Sequence, residues 1–517
     1  MFPKGADKML AKAHSFGLNG IDAYLVTVEA DLSRGLPAFE VVGLPDTAVK
    51  ESRDRVRSAI KNAGMQFPTA RIVLNLAPAD TKKSGTAYDL AIFLALLKAA
   101  GLLEAALDQI GFLGELSLGG ELRPLAGVLP MILSAKALGL SEVIIPFENA
   151  PEGAIARDIA VYAAKSTEEV LAHLRHETRL PLCTALDFAA QPPLSPVPDY
   201  AEVRGQYEAK RALTVAAAGL HNLLLIGPPG SGKSMLARRL PSILPDMTYD
   251  ERVAVTKLHS VAGVLPRGVG LVSERPFRSP HHSVSAAGMT GGGSRPMPGE
   301  VSLSHNGVLF LDELPEFLRP VMEGLRQPLE DSEVTISRVG ARVTYPSRFM
   351  LVAAMNPCPC GFYGHPAKPC NCSPAAISRY LGKVSGPLLD RIDIHLEVPA
   401  IDYEGLTGKA PGEGSAALRQ RVSDARIRQL ARFEGRSITS NCAIPRALLE
   451  EFCPLTADAE RLLKTAFDRL GLSARGYDRI LKVSRTIADL DARDVIDSSH
   501  VSEAIQYRTL DRKYWNR

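Results

Sequence analysis

The sequence predicts a multidomain α/β protein, and three observations predict it. The chain is longer than one hydrophobic core can serve, and its first 180 or so residues alternate strand-like with helix-like stretches. An apolar run at residues 223–226 then leads straight into a glycine-rich loop and a helix. At 517 residues, two to four domains are expected. Apolar residues make up 46% and charged residues 23%, so no long stretch is expected to be disordered. The net charge of +3 is close to balance, and a polyanion would have to be met by a local basic surface.

Within the first region, residues 23–28 and 71–76 read as strands, and residues 49–63 and 88–100 as helices, the second strongly apolar. Residues 142–146 read as a buried strand ended by Pro146. Residues 1–20 mix Lys4, Lys8, Lys12 and His14 with scattered apolar residues, which is not a secretory signal. The longest apolar run, residues 90–97, is far short of a membrane span. The expectation is a soluble, cytoplasmic protein with no membrane partner. Four prolines within residues 191–198 cannot sit in a helix or a central strand, and glycines crowd residues 405–415. The expected organisation is an N-terminal domain at 1–185, a linker at 186–198, a nucleotide-binding core at 199–403, a linker at 404–415 and a helical region at 416–517.

The apolar run at 223–226 suits a buried parallel strand. It enters Gly227, Pro228, Pro229, Gly230, Ser231, Gly232, Lys233 and Ser234, which match G-x-x-x-x-G-K-[ST] at every defined position. Glycines let backbone N–H groups turn inward around phosphate oxygens, and the helix expected at 235–240 adds its positive end. Lys233 is expected to neutralise the β- and γ-phosphates of ATP, and Ser234 to hold Mg²⁺. A second apolar strand, from Gly307, ends in two carboxylates: Asp312 would bind Mg²⁺ through water, and Glu313 would act as general base. A third, at 350–355, ends at Asn356, which either orients the attacking water or simply forms a turn before Pro357.

These three strand ends, in this order, resemble an AAA+ ATPase with Asn356 at the sensor 1 position. Residues 388–393, Leu-Leu-Asp-Arg-Ile-Asp, are similar to the arginine-finger segment of the magnesium-chelatase-like branch. The resemblance implies that Arg391 reaches the γ-phosphate held by a neighbouring subunit. Residues 473–479 resemble the sensor 2 segment, with Arg475 as the expected sensor and Arg479 one turn further on the same face. Ser304-His305-Asn306-Gly307, and an insert over 259–300 with the glycine run 291–293, also resemble that branch, which carries two extra hairpins. Residues 334–345 read as one of them, with Arg338 and Arg342 flanking its tip. In a ring these arginines would face the pore and grip DNA phosphates; otherwise they only solvate the hairpin.

Cys358, Cys360, Cys370 and Cys372 give C-x-C-x₉-C-x-C, four thiolates close enough for a tetrahedral, structural Zn²⁺ site in a reducing compartment. His365 lies in the same loop and could replace one of them. The N-terminal segments 82–91, 119–128 and 139–146 look like the Lon-protease (S5 domain 2-like) fold. The Lon serine falls at Ala87 and its lysine near Leu129, so no Ser–Lys peptidase is expected.

A Lon-like domain, a chelatase-branch AAA+ core, this cysteine loop and a helical lid together resemble the ComM/YifB family across nearly the whole chain. The resemblance implies a homo-hexameric helicase acting on branched and single-stranded DNA. It would use ATP and Mg²⁺ to drive branch migration of recombination intermediates in natural transformation. A chelatase-like remodeller of a protein or metal-tetrapyrrole partner is the alternative, and an ATP-dependent protease is disfavoured by Ala87 and Leu129.

Overall fold

The computed structural model describes residues 9–184, 198–293, 296–338, 341–365, 367–400 and 412–515. The stretches read as linkers, 186–198 and 404–415, lie outside the described residues up to 197 and 411 respectively. The chain forms two compact units, one of residues 1–192 with 249–273, the other of residues 193–248 with 274–517.

In the first unit a seven-stranded mixed sheet runs in the order Ala38–Val42, Arg71–Ala77, Asp22–Ser33, Met9–Asn19, Ile110–Phe112, Glu142–Pro146 and Ala160–Ala164. Period-2 alternation places Val26, Val28, Ala30 and Leu32 on the buried face of the long second strand in sequence. Helix Asp89–Ala99 is apolar on nearly every side, and ten of its eleven residues are buried against that core. Helix Thr47–Asn62 is amphipathic, burying Val49, Ser52, Val56, Ala59 and Ile60, and starts where Asp46 accepts the Val49 N–H at 2.9 Å. The strand Met9–Asn19 is not anticipated by the sequence reading, which sees only scattered apolar residues there. It pairs antiparallel with Asp22–Ser33 through a two-residue loop, so the Asn19–Gly20 step was the available signal.

Residues 249–273 follow the phosphate loop in sequence yet pack with the first unit. Helix Tyr249–Val261 is tied there by the Tyr249 hydroxyl to the Ile155 carbonyl (3.1 Å) and by Lys257 to Asp22 (3.2 Å). Leu271 joins Leu129 and Ile155 in a small buried cluster. The Glu152 carboxylate accepts from Ser260, from Asn149 (2.8 Å) and from the Leu129 backbone N–H (3.1 Å). Burial raises its pKa, with those donors opposing.

The second unit is built on a five-stranded, wholly parallel sheet in the order Phe277–Arg278, Val308–Leu311, Met350–Met355, Leu223–Ile226 and Ile394–Glu397. All fourteen residues of its three central strands are buried, as parallel strands covered on both faces require. Helices Ser415–Arg432, Ala457–Leu470, Ala474–Leu490 and Ser498–Gln506 form the C-terminal region. One continuous apolar core runs from the sheet residues Leu223, Phe310 and Val352 into these helices through Val422, Leu463, Ile487 and Val501.

Both expected hairpins are present. Gly291–Gly292 pairs with Met297–Pro298, and Glu333–Arg338 pairs with Ala341–Pro346. The helix after the phosphate loop is displaced from its expected place: it spans Lys233–Arg238, and a 3₁₀ turn at Leu240–Ile243 follows. Pro241 lacks the N–H that a continuing helix needs.

Candidate active site

Adjacent parallel strands bring their C-terminal ends into one row. Ile226 lies opposite Met355 and Leu311 opposite Ala353, so Gly227, Asp312 and Asn356 emerge side by side. The Gly227 N–H donates to the Met355 carbonyl at 3.2 Å, fixing the start of the loop. Gly232 precedes the helix with φ +89°, a left-handed turn that favours glycine and aims the first helical N–H groups into the loop.

Lys233 is the hub. Its Nζ donates to the carbonyls of Gly227 (2.8 Å) and Pro228 (2.9 Å) and lies 3.3 Å from Asn356 Oδ1. Burial lowers its pKa and the Asp312 carboxylate opposes that. Ser234 Oγ donates to Asp312 Oδ2 at 2.6 Å. A serine hydroxyl and a carboxylate this close offer two oxygens to one divalent cation, directly or through water.

Asp312 and Glu313 are neighbours with different orientations. Asp312 turns back to Ser234 and also accepts the Glu313 backbone N–H at 3.0 Å. Glu313 has φ +52° and ψ +48°, a left-handed conformation that a non-glycine residue adopts at a local energetic cost. Its side chain is 61% exposed, and it lines a cavity of about 460 Å³ with Asn356, Pro359, Arg379 and Tyr380.

Two residues the sequence reading passed over stand beside these groups. His282 Nδ1 lies 3.7 Å from Glu313 Oε2, and its ring packs on His281 (4.0 Å) and edge-on to Phe317 (6.5 Å). Tyr380 interacts through its hydroxyl with the Asn356 backbone N–H, and burial pushes that hydroxyl up to about 12. The histidine pair was a visible signal; nothing local marked Tyr380.

The segment Ser304–His305–Asn306–Gly307 fastens the acidic strand to its neighbour. His305 Nδ1 accepts the Arg348 N–H (3.1 Å), and Asn306 Oδ1 accepts from the Arg348 guanidinium at 2.9 and 3.3 Å. Burial, reinforced by Arg348, lowers the His305 pKa to about 4, so the imidazole is neutral at pH 7.

The arginines predicted downstream lie on other partners. Arg391 follows the short helix Gly386–Leu389; it donates to the Pro387 carbonyl (2.8 Å) and forms an ion pair with Glu330. Arg475 Nη2 lies 3.6 Å from the same Glu330 carboxylate, and its side chain is 60% exposed. Arg479 instead pairs with Asp393 at 3.3 Å and is nearly buried. Asp393 is held down at about 2: burial pushes it up, and the His221 hydrogen bond with the His221, Arg479 and Lys482 charges outweighs that. The two candidate sensor arginines are thus separated by exposure: Arg479 serves a nearly buried ion pair, and Arg475 is exposed.

In the second hairpin Val334, Ile336, Val343 and Tyr345 are buried, and Arg342 and Thr344 are exposed. The Tyr345 hydroxyl donates to the Pro296 carbonyl (2.9 Å), seating the apolar face. The side chain of Arg338 lies outside the described residues, although its backbone pairs with Ala341.

Cys358, Cys360, Cys370 and Cys372 converge, with all four sulfurs within 4.8 Å of one another and those of Cys358, Cys360 and Cys370 separated by 3.4, 3.6 and 3.7 Å. A tetrahedron of thiolates around an ion at about 2.3 Å separates its sulfurs by roughly 3.8 Å, so the cradle is the size a four-sulfur metal site needs. Backbone N–H groups of Phe362 and Asn371 pull the Cys360 thiol down to about 6, while burial and the neighbouring thiols raise those of Cys370 and Cys372. His365 is outside this cluster: its Nδ1 accepts the N–H groups of Ala367 and Lys368, both at 3.0 Å. Gly361, at φ +82°, sits so close to Pro229 that a Cβ there would lie 2.4 Å from the proline ring. The cysteine loop therefore packs directly on the phosphate loop.

A parallel five-stranded sheet with a phosphate loop, an acidic strand end and a polar strand end on neighbouring strands defines an AAA+ module. Residues 199–406 match the family described as magnesium chelatase, subunit ChlI, and residues 28–149 match subunit ChlI of Mg-chelatase. Residues 412–508 match the magnesium chelatase subunit ChlI C-terminal family. The chain is 45% identical over 513 residues to competence protein ComM of Haemophilus influenzae, covering 97% of this chain and 98% of that one. It is 44% identical over 513 residues, with the same coverage, to uncharacterized protein YifB of Escherichia coli. The N-terminal likeness extends to the Lon protease of Mycolicibacterium smegmatis, 28% identical over 158 residues, 29% of this chain and 20% of that protein. The chain belongs to the ComM/YifB family, with a magnesium-chelatase-type AAA+ domain, a Lon-like N-terminal region and a helical C-terminal region. Among the described residues, no helix is long and apolar enough to cross a membrane.

Proposed function

We propose that this chain is an ATP-driven DNA motor, assembled as a homo-hexameric ring, that drives branch migration of recombination intermediates in natural transformation. The observation that carries the reading is the joined set Lys233–Asn356 and Ser234–Asp312, in which Asn356 lines a cavity together with Glu313. The name of the Haemophilus relative, a competence protein, supports the biological setting.

In this reading residues 227–234 cradle the phosphates through backbone N–H groups, and Lys233 exchanges its carbonyl partners for β- and γ-phosphate oxygens. Mg²⁺, when bound, neutralises charge on those oxygens; Ser234 and, through water, Asp312 would hold it. Glu313 takes a proton from the attacking water as its oxygen bonds to the γ-phosphorus and the bond to ADP breaks. Asn356 orients that water, Arg391 of an adjacent subunit stabilises the charge that develops, and Arg475 acts as sensor 2. Arg338 and Arg342 grip DNA phosphates from the hairpin, so binding weakens steeply with salt.

The test is strand exchange on a synthetic four-way DNA junction with Mg-ATP. Wild type moves the junction and Lys233→Ala does not. ATP turnover that moves no junction and is indifferent to DNA overturns the motor. It favours the second reading, a chelatase-like remodeller, which the chelatase-subunit matches along the chain support.

The four cysteines are proposed to hold Zn²⁺ as a structural staple behind the phosphate loop, given the contact between Gly361 and Pro229. Purified protein is expected to carry about one zinc per chain. Cys358→Ser is expected to lose the metal and lower the unfolding temperature of the ATPase unit. A metal-free wild type with unchanged melting refutes the staple.

A further inference from the structure

One carboxylate, that of Glu330, holds two guanidinium groups from distant parts of the chain. Arg391 forms an ion pair with it, and Arg475 approaches the other oxygen at 3.6 Å. Two guanidinium groups on one carboxylate leave a net positive charge beside a cavity of about 340 Å³. Glu330 is 53% exposed and Arg391 14%, so water screens the pair from the acid's side and its contribution to stability is modest.

Its place in the chain gives a better account. Glu330 lies in helix Arg326–Asp331, and the hairpin strand Glu333–Arg338 begins just beyond it. The base of the hairpin is closed on that junction by the Ser347 N–H to the Ser332 carbonyl at 2.8 Å. The same helix touches the Arg391 segment a second time, where Arg326 donates to Ser385 Oγ at 3.3 Å. A displacement of the hairpin therefore moves the carboxylate on which both arginines rest.

We propose that Glu330 is a positioning residue for ATP hydrolysis: it holds Arg391 and Arg475 together on their own subunit and releases them when the hairpin shifts. The proposal rests on the reading above, in which the hairpin contacts DNA, Arg391 serves a neighbour's γ-phosphate and Arg475 acts as sensor 2. An arginine bound to a carboxylate must exchange it for phosphate, so the ion pair restrains turnover while the hairpin is empty.

The test compares wild type with Glu330→Gln, which keeps the shape and a hydrogen-bond acceptor but not the charge. Without DNA, kcat for ATP is expected to rise on the order of fivefold at unchanged KM, the scale of an ordinary coupling between sites. The ratio of DNA-stimulated to unstimulated turnover falls correspondingly, and Glu330→Asp restores part of the restraint. Unchanged DNA-free turnover in Glu330→Gln overturns the proposal, as does a fall in kcat together with a lower unfolding temperature, which marks a structural contact. A wild type indifferent to DNA overturns the motor reading, while the DNA-free comparison still decides the role of Glu330.

Discussion

Glu313→Gln binds ATP as wild type does and hydrolyses it about 10²- to 10⁴-fold more slowly, the contribution of a positioned general base. The expectation follows from the division of labour between two adjacent carboxylates. Asp312 is committed to Ser234 and to the turn, so the metal position and the loop survive the substitution. Glu313 is turned the other way by its left-handed backbone, into the cavity it shares with Asn356. An amide in its place keeps the size and loses only the ability to take a proton. The check is equilibrium nucleotide binding beside single-turnover hydrolysis. Loss of binding in parallel with hydrolysis would mean that Glu313 shapes the site rather than acting on water. His282, 3.7 Å away, is the side chain best placed to hold that carboxylate in one orientation.

Arg391→Ala is expected to lose about 10³- to 10⁵-fold in turnover, the effect of an arginine supplied to a transferring phosphoryl group. Its affinity for ATP should change little, because its partners are Pro387 and Glu330 and not the phosphate loop of its own chain. The decisive measurement mixes two inactive variants. An Arg391→Ala subunit has an intact phosphate loop, and a Lys233→Ala subunit has an intact arginine; a mixed ring contains interfaces that combine the two sound halves. Recovery of turnover on mixing places the arginine in trans. Silence at every mixing ratio, or full activity in Arg391→Ala alone, removes Arg391 from the reaction.

What the sequence determined by itself is what contiguous residues determine. The phosphate loop is eight neighbours in a row, and its glycines and lysine act through local backbone geometry, so Gly227 to Ser234 were legible as a unit. The central strands were legible because a strand buried on both faces must be apolar throughout, as Met350–Met355 is. Four cysteines within fifteen residues could be seen to converge before any coordinate showed their sulfurs in one cradle.

Tertiary structure alone decided the pairings between distant residues. Residues 249–273 follow the phosphate loop in sequence and fall within the family match over 199–406, and only the tertiary structure shows that they pack with Leu129, Ile155 and Glu152. Arg475 and Arg479 occupy one helix face, and only the nearly buried Asp393 beside one of them and the exposed Glu330 beside the other tell them apart. Glu330 and Tyr380 carried no motif, since a lone acid or phenol takes its meaning from the group it meets. Short-range patterns fix elements and loops; which charge opposes which depends on how the chain returns on itself, and no local spacing encodes that.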